Sequence, residues 1–185
     1  FIQLSPGFGR QQRHSRKPGW APSIVQLDKN KYFGNRPHVS QKFVKVHPKW
    51  LPSIIEREMT VEDIQQDIRD FVMGAELALF SGFDGIEIHT AHGYLLHQFF
   101  SPRTNKRTDQ YGGSLENRTR FMVELLQALR KEFGPMVPLL VRLSGSEHLP
   151  DGLTEDDFRA IAKIAVANGA DCIDLTDGTN EAQKW

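Results

Sequence analysis

The sequence predicts an α/β fold in which helices cover a parallel sheet. Short apolar segments typical of buried strands alternate with longer segments whose apolar residues recur at the helical period. Short connections join these segments from residue 60 onward, and such helix–strand repeats form parallel sheets. Every predicted strand ends in polar residues, as on the catalytic face of a (β/α)8 TIM barrel. With about four strand–helix units, we expect a partial barrel made of its central units.

The first strand is Phe1–Leu4, and Ser5–Arg10 follows it as a loop with Pro and two glycines. Residues 11–58 show little periodicity and are rich in Pro, Lys, Arg and His. We expect a long loop excursion with short local structure, such as a small hairpin or an active-site cover. A solvated excursion without chemistry is the alternative.

Capping residues mark the first helix. Thr60 and Asp63 resemble a capping box, and apolar residues then recur at helical spacing to about Phe80. Ser81 and Gly82 end this helix, and Asp84–His89 is the second strand.

The second half repeats the unit twice. A Gly112-Gly113 turn and an N-cap at Ser114 begin a helix that ends at Gly134-Pro135. The third strand is Val137–Ser144. Thr154 caps a further helix, which Gly169 ends, and Asp171–Thr176 is the last strand.

Charge and cysteine content exclude several classes of protein. Lys and Arg total 23, as do Asp and Glu, so the balance gives no reason to expect nucleic acid or an anionic membrane as partner. With no membrane-length apolar run and no visible signal peptide, we expect a cytoplasmic protein. The single cysteine, Cys172, excludes an internal disulfide and a Cys-ligated cluster, and its apolar neighbours predict a buried core position.

The chain opens on Phe1 inside a predicted strand and stops at Trp185 shortly after another. We therefore expect residues 1–185 to be an interior segment of one larger barrel domain.

The strongest chemical pattern is His89, His92 and Tyr94 at the end of the second strand. Two imidazoles there can donate hydrogen bonds to one substrate oxygen, polarising a carbonyl and stabilising negative charge on it. A nearby tyrosine can protonate an adjacent carbon. A zinc site is one alternative, with His97 as the third ligand, and structural core histidines are another.

Arg142 and Gln3 also lie near strand ends. A cation in an apolar strand must be paired or directed at an anionic ligand, so Arg142 fits either an internal salt bridge or a ligand contact. The Gln3 amide can bind a heterocycle edge or a neighbouring strand. The sequence has no GxGxxG, P-loop or GxSxG pattern.

The segment from His89 to Arg118, HTAHGYLLHQFFSPRTNKRTDQYGGSLENR, resembles the Old Yellow Enzyme family of FMN-dependent ene-reductases. FIQL followed by GFGR at the start and VRLS around Arg142 add to the resemblance. The SPGFGR form is more similar to the enoate reductase and 2,4-dienoyl-CoA reductase branch, which adds FAD and a [4Fe–4S] cluster downstream.

The resemblance implies roles for five residues. Gln3 and Arg142 match cofactor-binding residues at the flavin pyrimidine edge. His89 and His92 match the pair that binds the activating oxygen of the substrate, and Tyr94 matches the proton donor. No metal ligand is implied.

The implied activity is reduction of the C=C bond of an α,β-unsaturated carbonyl compound with NAD(P)H, through FMN. The implied partner is a small enone or enoyl substrate, and a homo-oligomer is compatible with it. Because the phosphate site of this fold normally comes from the last strands, we expect the isolated segment to hold FMN poorly and to be inactive. A non-catalytic half-barrel used for assembly and a metal-dependent hydrolase or lyase remain the alternatives.

Overall fold

The structure is a computed structural model that describes residues 1–7, 9, 19–25, 55–179 and 181–182. The described strands are β1 (Ile2–Leu4), β2 (Gly19–Ala21), β3 (Ile55–Glu58), β4 (Ile86–His89), β5 (Leu139–Ser144) and β6 (Cys172–Thr176). The described helices are α1 (Val61–Phe80), α2 (Leu95–Phe100), α3 (Leu115–Phe133) and α4 (Glu155–Ala167).

Four strands form one parallel sheet in the order β1, β4, β5, β6. Each strand–helix unit adds its strand on the same side of the preceding strand. A doubly wound sheet would reverse its strand order, whereas a (β/α)8 barrel does not. The topology therefore agrees with the predicted partial barrel.

The two sides of the sheet have different character. Ile86 and Ile88 of β4 are fully buried on the helix side, together with their β5 partners Leu139 and Val141. The alternate residues occupy the opposite side, which faces inward in a barrel. The inward side thus carries the polar row on which the candidate site is built.

The predicted caps are present. Thr60 with Asp63 and Thr154 with Asp157 form reciprocal capping boxes at α1 and α4. Ser114 accepts a hydrogen bond from the backbone of α3, which ends at Gly134 in a left-handed conformation. Asp and Thr satisfy N–H groups that the first helical turn leaves without partners, which fixes where each helix begins.

Two features of the fold differ from the prediction. All six residues of α2 are buried, so this helix has no polar face and no amphipathic period to reveal it. The strands β2 and β3 pair in parallel and are therefore not a hairpin. Residues 11–18 and 26–54 of the predicted 11–58 excursion lie outside the described residues.

The expectation for Cys172 was wrong, because this residue is exposed. It lies at the start of β6, which pairs only with β5 in the described sheet. Its Cα partner is Leu140, one of the residues on the inward side. An apolar sequence around a strand residue does not reveal which side of the sheet that residue occupies.

None of the helices among residues 55–179 combines the length and the apolar character needed to cross a membrane.

Candidate active site

The end of β4 turns sharply and brings three functional side chains together. His89 is the last residue of β4, whereas His92 and Gly93 have positive φ angles of 60° and 76°. The chain therefore reverses within a few residues, and Tyr94 becomes the N-cap of α2. Thr90 secures the turn, because its backbone N and its Oγ1 donate to the Arg142 carbonyl at 3.0 and 2.7 Å.

The three rings form one cluster. The ring centroid of His89 lies 5.2 Å from that of His92 and 5.2 Å from that of Tyr94. The centroids of His92 and Tyr94 are 6.5 Å apart. The structure thus brings together all three residues that the sequence predicted as catalytic, within reach of one small ligand.

Two hydroxyl side chains hold His92, Ser144 from β5 and Thr176 from β6. Its backbone N donates to Ser144 Oγ at 3.1 Å, and Ser144 Oγ donates in turn to the Gly178 carbonyl at 2.9 Å. The Nε2 atom of His92 lies 2.9 Å from Thr176 Oγ1. Sequence reasoning missed Thr176, although its position at the polar end of the last strand was a signal that could have found it.

His89 has an unused polar atom in a buried position. The residue is only 6% exposed, and its Nδ1 has no hydrogen-bond partner within the described part of the chain. Buried polar atoms in native proteins are almost always paired, so this nitrogen has the capacity for one further hydrogen bond. His89 is therefore suited to donate a hydrogen bond to a bound molecule.

Both imidazoles are held in the neutral form. Burial, followed by the nearby His92 and Arg142, lowers the pKa of His89 to about 4. Burial is also the largest cause of the lowered pKa of His92, with Arg142 and His97 contributing. At neutral pH each ring has one N–H and one bare nitrogen. The pair can therefore donate hydrogen bonds to an oxygen without bringing a full positive charge.

Arg142 and Gln3 occupy the inward side of the sheet, as the cluster does. In register, Arg142 pairs with His89 and Asp174, and Gln3 pairs with Glu87 one level further from the strand ends. The Nε of Arg142 lies 3.3 Å from Asp174 Oδ2, and the Gln3 amide donates to Glu87. The predicted salt bridge and the strand-to-strand hydrogen bond are thus both present.

These contacts leave capacity for a ligand. The Nε atom of Arg142 has no hydrogen-bond partner among the described residues, because its contact with Asp174 is not aligned as a hydrogen bond. The Arg142 side chain is 34% exposed. A guanidinium and an amide on one sheet face match the carbonyl and N–H edge of a flavin pyrimidine ring. The donor set fits such a cofactor, and His89, with its unpaired Nδ1, is the register partner of Arg142.

His97 does not join the cluster as a third metal ligand. Its Nε2 lies 2.9 Å from Oε1 of Glu147, and both side chains are almost fully buried. No group of three or more His, Cys, Asp or Glu residues in the described ranges is arranged to hold a metal ion. The zinc alternative therefore has no ligand set in this part of the structure.

The loop after α2 braces the candidate site. Asn105 donates to the carbonyls of Phe99 and Tyr111, both at 2.7 Å. Arg107 donates to the carbonyl of Met59, which ties this loop to the chain between β3 and α1. These residues therefore form the frame around the candidate site.

The loop after β1 also packs against α2. The Gly7 carbonyl accepts a hydrogen bond from Leu95 N at 3.2 Å. Gly9 has a positive φ of 53°, and a Cβ at this position would clash with the Gln98 amide. The two glycines of the SPGFGR segment thus allow the loop to approach the start of α2 closely.

A groove of about 780 Å³ lies apart from this cluster, on the helix side of β5 and β6. Its floor is mainly apolar and includes Leu143, Phe158, Ala162, Ile173 and Leu175. It lacks a buried functional group comparable to His89. We therefore assign the candidate site to the polar cluster on the inward side.

Comparison with known proteins supports this assignment at the level of the family. Residues 30–183 match the model of the NADH:flavin oxidoreductase / NADH oxidase family. An NADPH dehydrogenase of Geobacillus sp. (strain WCH70) is 48% identical over 122 residues, which cover 66% of this chain and 35% of that protein. Cinnamate reductase of Clostridium sporogenes is 36% identical over 200 residues, covering 100% of this chain and 27% of the reductase.

A solved structure shows the same fold. The old yellow enzyme homologue from Zymomonas mobilis superposes with a TM-score of 0.71 at 25% identity, covering 93% of this chain and 46% of that protein. The chain spans about a third or less of the length of the two curated relatives.

Proposed function

Since the chain belongs to the NADH:flavin oxidoreductase / NADH oxidase family, we propose that it provides the substrate-activating site of an FMN-dependent ene-reductase. The reaction is reduction of the C=C bond of an α,β-unsaturated carbonyl compound with NAD(P)H as reductant. The observation that carries the proposal is the pair of neutral imidazoles, His89 buried and His92 half-buried, beside Tyr94 on the sheet side that also holds Arg142.

FMN, when bound and reduced, supplies the hydride that reaches the β-carbon of the substrate. In this proposal the Gln3 amide and the Arg142 guanidinium hold the pyrimidine edge of the cofactor. Arg142 also contributes positive charge next to His89, its register partner. The protein thereby provides orientation and electrostatics, while the redox chemistry belongs to the cofactor.

His89 and His92 bind the carbonyl oxygen of the substrate. Their N–H groups polarise the carbonyl, which makes the β-carbon more electrophilic and stabilises the negative charge that develops on oxygen. Neutral rings suit this role, because they stabilise the charge without transferring a proton to oxygen outright. Thr176 restricts the rotation of His92 by its contact with Nε2.

Tyr94 donates the proton that completes the reduction at the α-carbon. Its ring lies 5.2 Å from that of His89, which is close enough for the phenol to serve a carbon next to a carbonyl that His89 binds. Its position as N-cap of α2 fixes the backbone from which the phenol extends.

The proposal also covers the longer protein to which this chain belongs. Residues 1–185 form an interior segment of one FMN-binding barrel domain, in keeping with the share of each relative that they cover. The match to cinnamate reductase over the whole chain favours an enoate or other enoyl compound as substrate. From the resemblance to enoate reductases, we propose that a downstream region binds FAD and a [4Fe–4S] cluster. We also propose that the protein is cytoplasmic and forms a homo-oligomer.

The proposal is tested on the flavoprotein that contains this chain, with the 185-residue chain compared directly. The longer protein should purify with bound FMN, which NAD(P)H reduces and an enone reoxidises. The 185-residue chain should bind FMN much more weakly and should be inactive. A longer protein that folds but binds no flavin contradicts the proposal and favours a non-catalytic role.

A further inference from the structure

A buried histidine–carboxylate pair outside the cluster has no place in the proposed chemistry. His97 of α2 and Glu147 of the loop after β5 contact each other at 2.9 Å, with side chains 1% and 2% exposed. Burying two ionisable groups is unfavourable unless they are well paired. The pair therefore requires an explanation beyond general packing.

Glu147 is the centre of a small hydrogen-bond network. Its Oε2 accepts from Leu153 N at 2.9 Å and from Ser101 Oγ at 3.2 Å, while Oε1 contacts His97. A Cβ on Gly152 would clash with this carboxylate, so the loop is closed tightly around it. Burial raises the pKa of Glu147, but the hydrogen bonds from His97, Leu153 and Ser101 keep it below its ordinary value.

The contacts determine the protonation of His97. An ionised carboxylate only accepts hydrogen bonds, so Nε2 of His97 must carry the proton that it donates to Glu147. The Nδ1 atom of His97 is buried and has no hydrogen-bond partner among the described residues. A bare nitrogen is tolerated there more easily than an unsatisfied N–H, which favours the neutral ring with its proton on Nε2.

This network reaches the active site through α2. His97 lies one helical turn after Tyr94, and the Tyr94 carbonyl accepts from Gln98 N at 2.9 Å within that turn. The His97 ring also packs against Phe158 of α4 at a centroid distance of 5.4 Å. Displacement of His97 would therefore shift the turn that carries Tyr94.

We propose that Glu147 is a positioning residue that fixes the tautomer and orientation of His97 and thereby holds Tyr94 in place for proton transfer. The inference rests on the proposed function, because it assigns Glu147 to the step that Tyr94 performs. It predicts a defect confined to that step, because His89, His92 and Arg142 are held by separate contacts with the strands.

The test uses Glu147→Gln in the flavoprotein that contains this chain, with the two half-reactions measured separately. Reoxidation of the reduced flavin by an enone should slow by about 10- to 100-fold, since small misplacements of a reacting group have effects of this size. Flavin reduction by NAD(P)H should stay within about twofold of the wild-type rate, because it needs no proton from Tyr94. Ser101→Ala is the matched control: it removes another hydrogen bond to the same carboxylate but keeps His97, so both half-reactions should stay near wild type.

Nitrogen NMR of ¹⁵N-labelled histidines gives a readout that does not depend on turnover. Wild-type His97 should show a protonated Nε2 and a bare Nδ1, and Glu147→Gln should lose this fixed pattern. Equal slowing of both half-reactions, unchanged reoxidation, or a wild-type His97 that averages between tautomers overturns the inference. A wild-type protein without flavin turnover contradicts the proposed function rather than this inference. If the variant does not fold, the wild-type NMR spectrum still tests the His97–Glu147 contact.

Discussion

Thr176 Oγ1 lies 2.9 Å from Nε2 of His92 and so connects the end of β6 to the turn after β4. The two strands are not neighbours, because β5 lies between them. If the hydroxyl donates to Nε2, the ring proton lies on Nδ1, where it can face a ligand. The contact thus determines how one of the two oxygen-binding imidazoles is presented.

Replacing Thr176 with Val should weaken substrate binding. Valine keeps the shape of the side chain but removes the hydroxyl, so His92 loses the contact that holds its ring. A loss of about 1 kcal/mol, the usual net value of one hydrogen bond, raises the KM for an enone by roughly fivefold. Steady-state kinetics measures this, with Thr119→Val in α3 as a control that loses only helix-backbone contacts. Equal KM values for the Thr176 variant and wild type would remove Thr176 from the site.

Replacing Tyr94 with Phe should slow only the step that needs a proton. Reoxidation of reduced flavin by an enone should fall by about 10²- to 10⁴-fold, the usual contribution of a positioned general acid. Stopped-flow absorbance of the flavin measures this rate, and flavin reduction by NAD(P)H should be nearly unchanged. Tyr111→Phe is the matched control, because the buried Tyr111 hydroxyl bonds to Glu124 between helices. A reoxidation rate unchanged by Tyr94→Phe contradicts the proton-donor role.

His89 should make the stability of the protein depend on pH. Its pKa of about 4 lies below the ordinary histidine value of 6.5, so the unfolded chain binds the extra proton first as pH falls. Above pH 6.5 the neutral ring therefore does not lower the free energy of unfolding. As the pH falls from 6.5 to 4, the free energy of unfolding decreases by at most about 3 kcal/mol. Urea unfolding at pH 7 and pH 5 should show a smaller decrease for His89→Asn than for wild type. An equal decrease in both proteins would show that burial does not suppress protonation of His89.

Two glycine substitutions should have opposite effects on stability. A Cβ on Gly112 would clash with the backbone carbonyl of Arg107, in the loop that braces the site. Gly112→Ala should therefore destabilise the protein by about 1–3 kcal/mol, the usual range for overpacking. Gly74 lies within α1 with nothing near the added atom, so Gly74→Ala should stabilise by about 0.5–1 kcal/mol. Thermal unfolding measures both, and a Gly112 variant as stable as wild type would show that the loop can move away.

Local sequence signals predicted the elements whose physics is local. The capping boxes at Thr60 and Thr154 predicted two helix starts within one residue, because the two side chains that cap each helix are only three positions apart in sequence. The cluster of His89, His92 and Tyr94 was predictable because one short turn carries all three residues. The third strand begins at Leu139 rather than Val137, since pairing with β4 decides where it starts.

Contacts between distant parts of the chain could not be predicted in this way. Thr176 reaches His92 from 84 positions away, and Glu147 reaches His97 from 50. Neither contact leaves a local pattern, because the strand register and the loop closure create them. The helix α2 was not predicted for a related reason. Complete burial of Leu95–Phe100 removes the alternation of polar and apolar faces that marks a helix in sequence.

Anaerobic reoxidation of reduced flavin by an enone, in wild type and in a His89→Ala/His92→Ala variant, tests the central claim most directly. Wild type should be reoxidised at a rate that saturates with enone. The variant should keep its flavin but react at least about 100-fold more slowly, because removing a single donor to a developing negative charge costs about 10²- to 10³-fold. Reoxidation of the variant at the wild-type rate would show that these two imidazoles do not activate the substrate.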